Sequence, residues 1–304
     1  MNEKQTAKVS ETFVVFEVVL RMLFLRLLSR MPMGALYFIA DFIFLLSYYV
    51  IGYRKEVVKG NIDNAFPEKT AGERAEIRKE FYRRFSEYLV EALKAISISK
   101  KELLKRVSYT NVPEVQPYAD AGQSIIVIAS HQFNWEWALL AGCLELPFPV
   151  DAVYQQLSNP GYDQLMLETR GKFGGQPIEK SKVLRTILKK KDRLRALGIV
   201  ADQSPRKKSP KYWATFLNQD TAFFLGPEQI ARAVNYPAYF FAVTRVKRGC
   251  YNVELKPLVQ PPYGKDDHSL LESYVEATEE LVRADPAGYL WSHKRWKLKR
   301  EDFD

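Results

Sequence analysis

The chain carries three histidines in 304 residues, and one of them stands where chemistry is easily placed. In SIIVIASHQFNWEWALLAG, residues 124–142, an apolar run of strand type ends at His131, and Glu136 opens a second apolar run. Four residues separate them, QFNW, of which Asn134 is a good helix N-cap. Glu136 then falls in the first helical turn, where a carboxylate is favoured. Such a turn can bring the chain back so that the carboxylate holds one imidazole nitrogen. The other nitrogen is then able to take a proton from a hydroxyl or an amine. Spacing alone leaves a second reading open, a histidine that merely caps the helix. A serine nucleophile is not supported, because Ser130 adjoins the histidine without a G-x-S-x-G elbow.

Further candidates stand at the ends of other apolar runs. Asp202 closes ALGIVA, Gln155 and Gln156 close VDAVY, and the basic stretch RKKSPK follows Asp202. In an open α/β sheet, ligands gather beyond the carboxyl ends of the strands, where all of these would meet. The two cysteines, Cys143 and Cys250, are far apart in apolar surroundings. They predict neither a disulfide framework nor a metal site, and they suit a reducing compartment. The sequence has no Gly-rich phosphate loop and no HExxH motif, which agrees with chemistry that needs neither a metal nor a nucleotide.

The elements that must position these residues change character near residue 107. From 56 to 106 the pattern is helical, with AFPEKTAGER as a turn and a new helix start. Beyond it, short strand-like runs at 124–130, 150–156, 196–203, 237–246 and 251–259 alternate with helical stretches, and a last helix spans 269–286. Buried strands separated by helices predict an α/β fold with a mixed, largely parallel sheet flanked by helices. The expected organisation is an anchor over 1–55 and a single functional domain over 56–304, itself a helical lead-in (56–106) and an α/β core (107–304). Hydrophobic residues make up 47% of the chain and aromatics 13%, which excludes a disordered protein.

Before that domain come two apolar runs. FVVFEVVLRMLFLRLL (13–28) contains Glu17, Arg21 and Arg26, of which Glu17 and Arg21 lie close enough on a helix to pair. Pro32 interrupts it, and ALYFIADFIFLLSYYVI (35–51) follows with Asp41 as its only charge. Seventeen helical residues rise about 26 Å, slightly under a hydrocarbon core of about 30 Å. Tyr48, Tyr49 and Tyr53 followed by Arg54 and Lys55 resemble a membrane interface. These features predict a membrane anchor of one span plus one interfacial helix, with either run able to be the span. Two core helices of a soluble protein are the alternative. No small-residue cleavage site follows the first run, so a removable signal peptide is not expected. Cationic residues after each run place the main body on the cytoplasmic side.

The formal net charge of +9 favours anionic partners, whether lipid, nucleic acid, phosphorylated small molecules or an acidic protein. Charge by itself does not choose among them.

The stretch SHQFNWEWALLAG resembles the His-x-x-x-x-Asp/Glu signature of glycerolipid acyltransferases, in the form typical of the bacterial lipid A late acyltransferases (the lauroyl/myristoyl transferase family). RKEVVKGNIDNAFPEKT, YQQLSNPGYDQLMLETRGKFGG, GIVADQSPRKK and YLWSHKRWK are similar to further blocks of that family, in the same order, from about residue 15 to 298. The resemblance implies an inner-membrane enzyme with its catalytic domain on the cytoplasmic face. It would move a fatty acyl chain from an acyl carrier protein thioester to a hydroxyl of a lipid A precursor, without a cofactor and without nucleic acid as partner. It implies His131 as general base and Glu136 as the residue that orients and charges it. It also implies Arg170 on an acceptor phosphate or the oxyanion, and Asp202 on acceptor hydroxyls or on Arg170. The residues allow plainer roles: Arg170 in a salt bridge with Glu168 or Glu179, and Asp202 as a loop cap. Trp291, His293 and Arg295 read as architectural support. Arg206, Lys207, Lys208 and Lys211 suit an acidic carrier protein or lipid phosphates, or simple solvation. Two departures stand out, Lys294 where the family usually has arginine and Gln156 where a basic residue often follows the tyrosine. The second bears on acceptor identity, so another glycolipid or an aminolipid stays open as acceptor. A noncatalytic membrane-surface protein and a hydrolase are the readings from other classes.

Overall fold

The computed structural model describes residue 18 and residues 20–303. The expected Glu17–Arg21 pair and most of the start of the first apolar run lie outside the described residues. Residues 20–29 are helical. They lead into α1 (Met33–Leu45), which continues to Ile51 through a wider π turn. Next come α2 (Lys55–Ala65) and the long α3 (Ala71–Ala95). Thr70 and Glu73 start α3 with a reciprocal capping box, so AFPEKTAGER is indeed a turn followed by a helix start. The short α4 (Lys100–Leu104) completes the helical lead-in.

The expected α/β sheet follows. It has seven strands in the order β1-β9-β8-β2-β5-β3-β4, where β1 is Val107–Tyr109, β2 Ile125–Ala129, β3 Val150–Tyr154 and β4 Gln176–Glu179. The others are β5 (Ala196–Val200), β8 (Ala238–Lys247) and β9 (Cys250–Pro257), and the connections include α5 (Gln116–Asp120), α8 (Val183–Lys189) and α9 (Gly226–Val234). Every pair is parallel except β8–β9. All five residues of β2 are buried, as a central parallel strand covered on both faces requires. Alternation along it divides the core in two. Ile126 and Ile128 pack with Leu197, Ile199 and Phe240 beneath α2 and α10 (Ser269–Ala284). Ile125, Val127 and Ala129 face the other way, toward α1, α3 and α6 (Trp135–Glu145).

Two short strands, β1 and β4, and one hairpin escape the sequence pattern. The hairpin pairs β6 (Lys211–Phe216) with β7 (Gln219–Phe224), so the basic loop after Asp202 runs straight into a strand. Leu217 and Asn218 both take positive φ at its tip, the geometry of a two-residue hairpin turn.

The C-terminal segment YLWSHKRWK is not a strand. It wraps the sheet end, and Trp291 is fully buried there, its ring 5.1 Å from Tyr289 and 5.8 Å from Phe66. Its indole Nε1 donates to the Pro286 carbonyl at 2.7 Å. Trp291→Ala is expected to cost about 3–5 kcal/mol, the range for a large buried aromatic. A urea titration followed by circular dichroism should show a much lower midpoint.

Candidate active site

Strands β2 and β5 are parallel neighbours, and Ala129 stands opposite Val200. Two residues beyond that pair, both chains leave the sheet together, at His131 and Asp202. The register therefore delivers an imidazole and a carboxylate to one point. Asp202 Oδ1 lies 2.7 Å from His131 Nδ1, and its Oδ2 accepts the His131 backbone N–H at 3.0 Å. An ionised carboxylate only accepts, so Nδ1 carries the proton and Nε2 presents its lone pair outward. Gln203 Nε2 stands 3.3 Å from that lone pair. The Trp135 ring meets the imidazole edge to face at 4.8 Å and limits its swing.

Asp202 is 2% exposed. Burial pushes its carboxyl up, but the His131 charge and hydrogen bonds, with Arg295 behind, outweigh that and hold it below the ordinary carboxylate range. Arg295 is itself buried, donates to the Ala222 carbonyl at 2.7 Å and lies over the Phe223 ring. His293 accepts the Ser204 N–H at 3.2 Å, and burial pushes it down from 6.5 to about 4.

Glu136 does not hold the imidazole. It sits in the first turn of α6 as expected, but its carboxylate takes Arg170, with Nη2–Oε1 at 2.5 Å and Nε–Oε2 at 3.0 Å. The expectation that five-residue spacing folds Glu136 back onto His131 is corrected here. The Nδ1 position is already filled from the neighbouring strand, and the planar guanidinium matches the Glu136 carboxylate at two points. Arg170 comes from the last turn of α7 (Pro160–Gly171). Burial draws its pKa down, and the Glu136 charge more than compensates, so it remains cationic. Of the partners considered for Arg170, Glu168 bonds Arg26, and Glu179 bonds Lys182 and Ser181. Asp202 likewise serves His131, not Arg170.

One supporting residue is not among the candidates drawn from the sequence. Glu91 of α3 is fully buried and accepts from Tyr37 at 2.8 Å, Tyr251 at 2.6 Å and the Asn134 amide at 2.8 Å. Burial raises its carboxyl, and the three donors counter that. Asn134 in turn accepts the Trp137 N–H at 2.9 Å, the N-cap anticipated from sequence. Glu91 thereby fixes the start of α6. Its signal in the sequence was its spacing, since it shares the buried face of α3 with Tyr82, Ser86, Glu87 and Val90. From the opposite side, Phe133 takes φ of +51° while its N–H donates to Gly288 at 2.9 Å, and Leu290 N–H reaches the His131 carbonyl at 3.2 Å. The C-terminal segment thus clamps the turn.

The pair opens into a cavity of about 800 Å³ lined by His131, Glu136, Arg170, Gln203 and Arg206 at its polar end. An apolar branch runs beneath α6, over Val127, Gly198 and Ala152, which are adjacent across three strands, and past Ala196, Leu139 and Leu146. Small residues at 152, 196 and 198 leave this space open. Tyr154 and Gln155 border the mouth, and Gln156 beside them is exposed. Among the described residues, no group of three or more His, Cys, Asp and Glu is placed to hold a metal ion.

His293 supplies a pH test. Its folded value, about 4, lies below the unfolded 6.5, so the unfolded chain binds the extra proton between them. Its contribution makes stability rise with pH over that window and level off above it. Urea midpoints measured from pH 4 to 7 should show the slope, and His293→Gln should flatten it.

Comparison with curated proteins finds no match to this chain. Comparison with protein-family models matches residues 3–298, nearly the whole chain, to the family described as bacterial lipid A biosynthesis acyltransferase. With its α/β sheet and its His131 site placed inside the matched region, the chain belongs to the bacterial lipid A biosynthesis acyltransferase family.

Proposed function

We propose that the chain transfers a fatty acyl group from an acyl carrier protein thioester to a hydroxyl of a lipid A precursor, at the cytoplasmic face of the inner membrane. The observation that carries this reading is the oriented His131–Asp202 pair, whose imidazole lines a cavity of about 800 Å³ with many apolar lining residues. The acyl chain lies in the branch beneath α6, which brings its thioester carbonyl to the imidazole. Nε2 of His131 takes the proton of the acceptor hydroxyl as the oxygen attacks that carbonyl carbon. Asp202 stabilises the imidazolium that forms. When the tetrahedral intermediate collapses, the C–S bond breaks, and the leaving thiolate takes the proton back from Nε2. Gln203 moves off Nε2 to admit the hydroxyl.

Glu136 acts here through Arg170, not through His131. It holds the Nε and Nη2 edge of the guanidinium, so Nη1 is aimed at the oxyanion or an acceptor phosphate. Arg206, at the mouth, and Lys207, Lys208 and Lys211 beyond it give an acidic carrier protein a complementary surface. Exposed Gln156 makes other glycolipid and aminolipid acceptors the natural comparison substrates.

The test is transfer of radiolabelled acyl groups from a series of carrier-protein thioesters in detergent micelles, with the lipid A precursor as acceptor. His131→Ala and Asp202→Asn are each expected to lower kcat/KM by about 10²–10⁴-fold, the usual worth of a positioned base. Unchanged turnover in His131→Ala would remove the base from the mechanism, and label appearing only as free fatty acid would make the enzyme a hydrolase. A Cβ at Gly198 has ordinary van der Waals clearance, its nearest atom being the Asp151 carbonyl oxygen at 3.7 Å, and the position lines the cavity. Gly198→Leu should therefore fold and shift the preferred thioester to a shorter chain, read from the same series.

A further inference from the structure

Residues 33–51 form a helix of 19 residues that is apolar and long enough to cross a membrane. Its rise of about 28 Å would nearly match a hydrocarbon core. Length does not decide its placement, but packing does. Met33, Leu36, Ala40 and Phe44 are buried along one side of α1, in contact with α3. Polar ties join α1 and the residues flanking it to α3. Lys94 donates to the Met31 carbonyl, Tyr37 to Glu91, and Tyr82 to the Tyr53 carbonyl. Asp41 is held by Arg248 of the β8–β9 turn at 2.6 Å.

Eleven of the 25 residues of α3 are charged. If α1 stood across a bilayer in this contact, α3 would enter the hydrocarbon with it. Each charge carried to the centre costs about 2.5–3.5 kcal/mol even on the most lenient scales. If α1 left α3 to span alone, Glu91 would lose the Tyr37 hydroxyl and remain buried.

The opposite side of α1 carries Phe38, Phe42, Leu45 and Tyr49, spaced 4, 3 and 4 residues apart as one helical stripe. Phe38 is 78% exposed and Phe42 63%. The preceding helix repeats the pattern with Leu20, Leu23, Phe24 and Leu27, all more than half exposed. Arg30, Arg54 and Lys55, exposed at the two ends of α1 and its π turn, complement anionic headgroups.

We infer that α1 lies in the plane of an anionic bilayer, half-sunk by its stripe, and does not cross it. This rests on the proposed reading in so far as the acceptor is a membrane lipid, and it adds how that lipid arrives. A side chain on Gly161, at the start of α7, would meet Val18 and Met22 of the first helix. Met166 and Arg170, further along α7, line the cavity. The mouth therefore sits beside the lipid surface, and the acceptor enters sideways from the leaflet.

The test places a single cysteine at each end of α1, Arg30→Cys or Lys55→Cys, in the full chain with Cys143 and Cys250 replaced by alanine. Inverted inner-membrane vesicles, which present the cytoplasmic face, are treated with a membrane-impermeant maleimide. Both sites are expected to label fully before detergent is added; protection of either until detergent opens the vesicles would show a span and overturn the inference. The paired change Phe38→Glu with Phe42→Glu should reduce co-sedimentation with 3:1 phosphatidylcholine–phosphatidylglycerol vesicles at least tenfold, and leave transfer in detergent unchanged. Undiminished sedimentation would also overturn it, as would a concentration-dependent dimer abolished by the same pair. Absence of His131-dependent transfer would remove the proposed reaction without altering the labelling pattern, so the two failures are distinguishable.

Discussion

An imidazole points a lone pair in one fixed direction when the N–H on its other nitrogen is held, and here the buried carboxylate of Asp202 holds it. The arrangement depends on sheet register. Ala129 opposite Val200 sends two chains out of the sheet at the same level, two residues before His131 and Asp202 respectively. A slip of one residue between β2 and β5 would separate them and also turn every side chain of one strand to the wrong core. The charge on Asp202 is tolerable because three sources repay its desolvation: the His131 ring, the His131 backbone N–H and the field of Arg295.

Around this pair the molecule fixes the His131 turn from two directions. Glu91 reaches it through Asn134 and the start of α6, and the C-terminal segment reaches it through Gly288 and Leu290. The left-handed backbone at Phe133 is the strained point between these holds, and it persists because both sides over-determine it. The apolar branch beneath α6 needs a different provision, the small residues at 152, 196 and 198 that leave the sheet face unfilled.

Much of this was legible in the residues. The apolar runs around 125–129, 150–154, 196–200 and 238–247 are strands, the capping box at Thr70 starts a helix, and Asn134 caps another. What periodicity could not supply was adjacency between distant segments. The partner of His131 is 71 residues away, and only strand order reveals that β2 and β5 touch. Reading the nearest carboxylate as the partner therefore chose Glu136, which the structure gives to Arg170. The two runs IIVIASH and LGIVADQ do share a form, an apolar strand with a polar residue two positions past its end, and that was the available hint. The strands β1 and β4 are too short for alternation to register, and the β6–β7 hairpin turns on Leu217 and Asn218, which carry no glycine signal.

The alternation along β5 has an evolutionary consequence. Leu197, Ile199 and Ala201 belong to one core, while Ala196 belongs to the other and Gly198 lines the apolar branch. Substitutions at 196 or 198 resize that branch while leaving the opposite core and the strand's exit toward Asp202 untouched. If the branch holds the acyl chain as proposed, preference for one length over another can therefore drift across lineages by single codon changes, with His131 and Asp202 inherited intact.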